Sequence, residues 1–328
     1  MKVVRLFSVF LLLVVIPAGG AYFWFTGAVV APGPLQAPVT VVIAPGSGVA
    51  SIARQLAQVG VVTEPWMLTL EVRRSGRDRA LKPGEYRFDS AISLNDVLSK
   101  IVRHDVVARF VTIPEGLVTA EIVTILDAAE GLTGTVSSSI ADGDLLPETY
   151  RYEWGDARES VIAHMRSARE VALKELWATS AEGLPLDSPE QAMALASIVE
   201  KETGVAGERP RVAAVFINRL RRGMKLQSDP TVTYGRPNIP GGDHNRPITV
   251  SDLERPTAFN TYVIPALPPS PICHPGRAAL AAVLNPAVTE DLYFVADGSG
   301  GHAFAATLEA HNRNVARWRQ IERQNNLH

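Results

Sequence analysis

SPEQAMALASIVEKETGVAGERPRVAAVFINRLRRGMKLQSDPTVTY, residues 188–234, carries the most information in the chain. Ser188 stands where an N-cap belongs, Pro189 takes the first helical position, and Gln191 follows three residues after the cap, so a helix is predicted to begin here. It stays apolar until it meets Glu200, Lys201 and Glu202. Leu195, Ile198, Val199 and Glu202 fall at i, i+3, i+4 and i+7, so Glu202 extends the apolar stripe. Glu200, two positions away, lies on a different face. A carboxylate at the end of a core-facing stripe is costly unless it is paired, protonated or used. Two acidic residues around a lysine at a helix end are ordinarily a solvated, salt-bridged terminus. Phase sets Glu202 apart as the candidate functional centre, and Thr203-Gly204 should end the helix and open a cleft beyond it.

A dense polar and aromatic set lies downstream between prolines: Gln227, Ser228, Asp229, Thr231, Tyr234, Asn260 and Tyr262. Such a set suits hydrogen bonding and ring stacking with a carbohydrate. It can equally be turn chemistry, with Asp229 as an N-cap and Pro230 at the first helical position. Glu208 is a possible second carboxylate, although its place at the start of the next helix suits a partner of the helix dipole.

At 328 residues the chain has room for two modest domains and a terminal segment. A formal net charge of −2 gives no footprint for nucleic acid. One cysteine, Cys273, excludes an intrachain disulfide and a cysteine-based zinc cluster. Lys2 and Arg5 precede a run without charge from Leu6 to Phe25, long enough to cross ~30 Å of hydrocarbon. Tyr22, Phe23, Trp24 and Phe25 suit its far interface, and the positive flank places the N-terminus in the cytoplasm and the body outside it. The competing reading is a cleaved signal peptide ending in the small residues of Pro17 to Ala21. The uncharged run continues past that point and favours a retained single-pass helix in the cytoplasmic (inner) membrane.

The fold class expected is α+β. Residues 1–25 are the cytoplasmic tip and transmembrane helix, and 26–39, rich in Gly, Ala and Pro, a tether. Residues 40–107 form a small β-α-α-β-α module, with strands at Thr40–Ile43 and near Tyr86, and Ser93 capping a helix. Residues 108–328 form a larger mixed domain with a helical core and β-hairpins. It begins with a strand at Val106–Ile113 and a helix at Thr119–Ala129. A polar loop spans 131–144 and a long amphipathic helix 156–180. A hairpin from Leu292 to Ala306 precedes a last helix from Leu308.

Familiar chemistries find no support: there is no G-x-S-x-G elbow, Walker loop, H-E-x-x-H or Cys-His zinc spacing. His244, His274 and His302 read as loop residues at the surface. Asp243-His244 has no second ligand pair at useful spacing, so neither a metal nor an organic cofactor is implied.

The segments ASIVEKETGVAGERPRVAAVFINRLRRGMKLQSDPTVTYG, TAFNTYVIPALPPSPICHPGRAALAAVLNP and LYFVADGSGGHAFAATLEAHNRN, together with LLPETYRY at 145–152, resemble the endolytic murein transglycosylase family, also called MltG or YceG-like. The resemblance covers nearly the whole chain and makes the 40–107 module LysM-like. Cys273-His274 departs from the small or amide residues usual in its loop. Phe259 stands where Tyr is commoner and lacks its hydroxyl.

The resemblance implies a lyase that cuts the β-1,4 bond between N-acetylmuramic acid and N-acetylglucosamine in peptidoglycan outside the cytoplasmic membrane, leaving a 1,6-anhydro end. It maps the catalytic acid to Glu202. Gln227, Ser228, Asp229, Tyr234, Asn260 and Tyr262 would bind substrate. Glycan strands, the membrane and cell-wall synthases are the implied partners. Two other readings stay open. One is a muramidase using water, with Asp229 or Glu208 as base; the other is a wall-binding scaffold in which Glu202 is structural.

Overall fold

The computed structural model describes residues 14–236 and 246–325. The chain folds into two compact units. The first holds residues up to Arg109 with Glu130–Leu132 and Arg151–Asp156, and the second holds the remainder.

In the first unit, β1 (Val39–Ile43) pairs antiparallel with β2 (Gly84–Phe88), in a register running from Val39 opposite Phe88 to Ile43 opposite Gly84. Helix α1 (Ile16–Val30) precedes β1. Between the strands lie α2 (Val49–Gln58) and α3 (Pro65–Ser75), and α4 (Leu94–Arg103) follows β2. Strand alternation turns Val41, Ile43, Tyr86 and Phe88 inward, where they meet Ile52 and Leu56 of α2, Leu68 and Val72 of α3, and Val97, Leu98 and Ile101 of α4. Ser93 caps α4 by accepting from the Asp96 N–H at 3.2 Å. The elements follow one another in the expected β-α-α-β-α order. The strand expected from Val106 starts only at Arg109, because Val107 gives its N–H to the Glu85 carbonyl instead.

The segment preceding this module differs from expectation. Helix α1 runs five residues beyond Phe25, so 26–30 is not tether. Phe25 and Val29, one helical turn apart, are buried in the module core together with Leu35. Ala91 donates to the Leu35 carbonyl and Gly33 donates to the Ala91 carbonyl, which stitches the chain down. A Cβ on Gly33 would strike the Ile92 carbonyl, so this glycine permits a close approach and does not signal a flexible linker. Among the described residues no helix is long and apolar enough to cross a membrane. Leu6 to Leu13 of the expected span lie outside the described residues, as do Asp243 and His244.

The second unit is built on α7 (Pro189–Glu202), whose residues from Ala192 to Val199 are all buried. It packs against α8 (Arg209–Arg221), α11 (Arg277–Leu284) and, near its far end, α9 (Asp229–Tyr234). The core joins Leu195, Ile198 and Val199 to Val212, Phe216, Leu280 and Val283. Around it lie α5 (Thr119–Ala128), α6 (Arg158–Ala178) and α10 (Val250–Glu254). Strands β3 (Arg109–Thr112) and β4 (Thr149–Tyr152) pair, with the Thr112 and Thr149 hydroxyls 2.9 Å apart. The hairpin of β5 (Tyr293–Ala296) and β6 (His302–Ala305) is antiparallel and packs on α12 (Leu308–Asn325).

If α1 is part of the first core, Phe25→Ala should destabilise that unit by about 3 kcal/mol, the usual loss for a buried phenylalanine. Thermal unfolding followed by circular dichroism would measure it. An unchanged melting temperature would mean that the segment is a tether after all.

Candidate functional site

Helix α7 is fixed at both ends. Ser188 accepts from the Gln191 N–H at 3.3 Å, and the Gln191 side chain reaches past the cap to the Asp187 N–H at 2.9 Å. At the far end Glu200 is not a solvated charge. It accepts from the Gly276 N–H at 2.9 Å and pairs with Arg209 at 3.3 Å, its side chain almost fully enclosed. Glu115 meets the same arginine at 3.3 Å. Glu202 is the last helical residue, and Thr203 departs in an extended conformation. The two glutamates therefore face different surroundings, one an ion-paired joint and the other the loop that carries Ser228.

The cleft partner of Glu202 is Ser228, whose hydroxyl donates to Glu202 Oε1 at 2.5 Å. The sequence predicts Asp229 as the N-cap of α9. The cap position is instead Ser228, and its side chain is given to Glu202 and makes no cap bond to the helix. The rest of the loop is held by threonines. Thr231 Oγ1 donates to the Ser228 carbonyl at 2.6 Å, the Ser228 N–H donates to Thr261 Oγ1 at 2.9 Å, and the two threonine hydroxyls are 2.9 Å apart. Gln227, immediately before, sits at φ 52° in the left-handed region that non-glycine residues seldom occupy. Such a residue persists where its surroundings dictate it, often beside a working site.

These contacts set the electrostatics. Burial pushes the Glu202 carboxyl up to about 7, against the lowering influence of the Ser228 hydrogen bond. The charge of Asp229 raises it further, and His302 and Arg219 oppose. The group therefore holds its proton near neutrality and can also release it. Arg219 is buried, donating to the Leu292 and Leu226 carbonyls at 2.6 Å each, and burial lowers its own pKa.

Of the other residues singled out in the sequence, Asp229 is exposed and accepts from the Tyr262 hydroxyl at 2.6 Å. Tyr234 donates to Asp142 at 2.8 Å and packs edge-on against Phe259. Burial and those carboxylates raise both phenols. A cavity of about 560 Å³, a size suited to a small ligand, is lined by Val118, Glu121, Lys201, Asp229, Pro230, Thr233, Tyr234 and Ile272; Glu202 and Ser228 do not line it, and Asp229 is the residue that links it to them. Gln227 is exposed. Asn260 is placed differently: it is 1% exposed, and its amide nitrogen donates to the carbonyls of Asp252, Leu253 and Arg255. It holds a turn, while Ser228, Asp229 and Tyr262 gather around Glu202.

Two histidines expected at the surface are not there. His274 is wholly buried; its Nδ1 accepts from the Gly143 and Leu145 N–H groups, which leaves the proton on Nε2, facing Thr119 at 3.0 Å. Burial lowers its pKa. His302 is half-buried, its Nδ1 2.7 Å from Glu208, which also accepts the His302 N–H. Glu208 stands at the cap position of α8 but makes no side-chain cap bond there, and its carboxylate serves the β5–β6 hairpin. Nothing local in the sequence marks these pairs, which join residues 94 positions apart or more. Among the described residues no group of three or more His, Cys, Asp or Glu side chains could hold a metal ion.

A mixed α+β protein with one half-buried, proton-retaining glutamate beside Ser228, Asp229 and Tyr262 has the makings of an acid–base site. The YceG-like family model matches residues 41–317, and the chain belongs to that family. A Bacillus subtilis protein named endolytic murein transglycosylase is 32% identical over 172 residues, covering 52% of this chain and 46% of that protein. A Streptococcus pneumoniae protein of the same name is 26% identical over 355 aligned positions, covering 94% of this chain and 64% of its own length. The chain thus matches about half to two thirds of the length of these relatives. A solved yceG-like protein from Listeria monocytogenes aligns with a TM-score of 0.48 at 28% identity, over 85% of this chain and 99% of that one.

A carboxyl whose folded-state pKa lies above its unfolded value favours the folded state while protonated in both. That advantage is lost as pH rises from about 4.5 through about 7. Glu202→Gln should therefore melt close to the wild type at pH 5 but higher at pH 8, by a margin on the order of 3 kcal/mol. Equal melting temperatures at pH 8 would show that the carboxyl is not held protonated.

Proposed function

We propose that the protein is a membrane-anchored endolytic lytic transglycosylase of peptidoglycan, a lyase that uses Glu202 as its single acid–base group. The observation that carries this reading is the enclosed Glu202, poised near 7 and hydrogen-bonded to Ser228. The names of the Bacillus and Streptococcus relatives point the same way.

Protonated Glu202 donates its proton to the glycosidic oxygen as the bond from C1 of N-acetylmuramic acid to O4 of N-acetylglucosamine breaks. The carboxylate so formed accepts the proton of the muramoyl C6 hydroxyl as that oxygen bonds to C1. A 1,6-anhydro end results, Glu202 regains its proton, and no water is consumed. Because the nucleophile belongs to the substrate, one carboxylate suffices where ordinary glycosidases use two. An acid–base group is most effective with a pKa near the working pH, which is the setting Glu202 has.

Within this reading Asp229, Tyr262 and Tyr234 line the bound glycan, and Gln227 reaches it from the rim. Ser228 orients the acid, and Asn260 acts through the turn that carries Tyr262. The LysM-like first unit orients or binds glycan. The uncharged run from Leu6 to Phe25 holds the chain in the cytoplasmic membrane with the body outside. Strands still close to that membrane, and the synthases that extend them, are then the nearest substrate and partners.

A second reading is favoured by one observation: the charge of Asp229 raises Glu202, and Asp229 is exposed. As a base it would activate water, which makes the enzyme a muramidase. Digestion of purified un-crosslinked glycan, with end groups read by mass spectrometry, separates the two. The wild type should leave anhydro ends, and Glu202→Gln should lose on the order of 10²–10⁴-fold in rate. Reducing ends would favour the muramidase. A folded Glu202→Gln variant that still cleaves would remove Glu202 from the chemistry, and a wild type that binds without cleaving would make the protein a scaffold.

A further inference from the structure

The cavity next to the candidate acid holds charged side chains, Lys201 and Glu121, that the proposed reaction leaves without a role. They line it with Asp229 and with the apolar side chains of Val118, Pro230 and Ile272. Carboxylates elsewhere in this unit are matched by cations: Glu200 meets Arg209, and Asp252 meets Arg246. Among the described residues, Lys201, Glu121 and Asp229 form no ion pair with one another or with any other side chain. Their hydrogen bonds also leave capacity. Lys201 Nζ donates to the Gly116 carbonyl at 3.3 Å, which occupies one of its three N–H groups. Glu121 accepts the Val118 N–H through Oε2 at 2.9 Å, and Asp229 accepts the Tyr262 hydroxyl through Oδ1. One oxygen of each carboxylate remains for a ligand. All three side chains are exposed, so a ligand can reach them.

Position ties the cavity to the chemistry. Lys201 precedes Glu202 on α7, and Asp229 follows Ser228 at the start of α9. Glu202 and Ser228 are joined by a hydrogen bond, so Lys201 and Asp229 adjoin that pair from both chain segments. A group carried by the sugar at Glu202 therefore has the cavity as its neighbour. In a strand of alternating N-acetylglucosamine and N-acetylmuramic acid, the sugar rings and acetamido groups are uncharged. The charge lies on the branch at the muramoyl C3 oxygen, a lactyl group amide-linked to a short peptide with carboxylates and an ammonium. A lysine suits the carboxylates and carbonyls of that branch, and Glu121 and Asp229 suit its ammonium and amide N–H groups. Val118, Pro230 and Ile272 suit its small alkyl side chains. Further sugar rings would offer Lys201 no anion.

We propose that this cavity is a subsite for the peptide branch of the muramoyl residue whose glycosidic bond is broken, with Lys201 on its carboxylates and Glu121 and Asp229 on its N–H groups. This rests on the transglycosylase reading above and deepens it, because the enzyme then recognises strands that still carry peptide. Binding of the branch, remote from the reacting atoms, helps to hold C1 against Glu202.

The test gives the full chain two substrates: un-crosslinked glycan bearing its peptides, and the same glycan stripped by an amidase that leaves the lactyl carboxylate. The wild type should cleave the peptide-bearing strands with a kcat/KM about tenfold higher or more, the worth of a charge-assisted hydrogen bond. Lys201→Met and Glu121→Gln should each lower that ratio about threefold, as expected for exposed charges. Both positions are exposed and glutamine can still accept the Val118 N–H, so the fold is kept, which thermal unfolding checks. Equal kcat/KM on the two substrates, or a preference for stripped strands, would overturn the subsite and leave the transglycosylase reading in place. A ratio that survives both substitutions would put the peptide elsewhere and overturn the subsite as well. Cleavage of neither substrate would overturn the reading and the subsite together.

Discussion

A carboxyl group that must give up a proton and take one back within a single turnover cannot sit in a fully apolar pocket, where it would stay protonated, or in water, where it would stay charged. Glu202 lies between these limits. Burial alone would keep it neutral, and the Ser228 hydroxyl, donating at 2.5 Å, stabilises the charged form enough to leave the group near 7. The neighbouring charges work in the same opposed fashion, Asp229 raising the pKa and His302 and Arg219 lowering it. Enclosure and hydrogen bonding therefore have to be built independently. The packing around Glu202 follows that division.

Enclosure comes from α7 and its neighbours. A helix buried along eight consecutive residues cannot rotate, and the joint of Glu200 with Arg209 and the Gly276 N–H prevents its end from fraying into solvent. The Ser228 contact depends on a different set. The threonine pair at 231 and 261 fixes the loop, Gln227 takes a backbone conformation it would otherwise avoid, and the two N–H groups of the Asn260 amide are shared among three carbonyls of the adjoining turn. The buried members of this set, Ser228, Thr231, Thr261 and Asn260, are each paired, as a buried network must be if it is to hold a geometry without loosening the core.

The same division separates what is legible in the sequence from what is not. The phase of Leu195, Ile198, Val199 and Glu202 is a property of one helix, so it can be read before any tertiary contact is known. The order of elements in the first unit is legible for the same reason, since alternation and capping are local. The tether expected at 26–39 fails because Gly and Pro there signal flexibility locally, while Val29, Leu35 and the close approach at Gly33 act through packing. The Ser228–Glu202 bond spans 26 residues, and an Asp-Pro pair after a serine looks like an ordinary helix start. His274 reads as exposed because its loop is rich in proline. Its burial depends on two N–H groups about 130 positions away, which no local pattern encodes.

Asp229 bears most directly on the proposed reaction. Two carboxylates in one cleft ordinarily suggest a two-residue glycosidase. Asp229, however, accepts the Tyr262 hydroxyl at 2.6 Å, so one of its oxygens is already committed. Its charge also acts on Glu202 in the direction an acid needs, upward. A residue in that position can serve the site without touching water. Its charge favours the protonated form of its neighbour, and it accepts the Tyr262 hydroxyl. When Glu202 donates, the same negative charge disfavours the new carboxylate and so favours its prompt reprotonation, for which the muramoyl hydroxyl is the nearest source in the proposed reaction. The arrangement thus accounts for a second carboxylate beside the acid without assigning it the role of base.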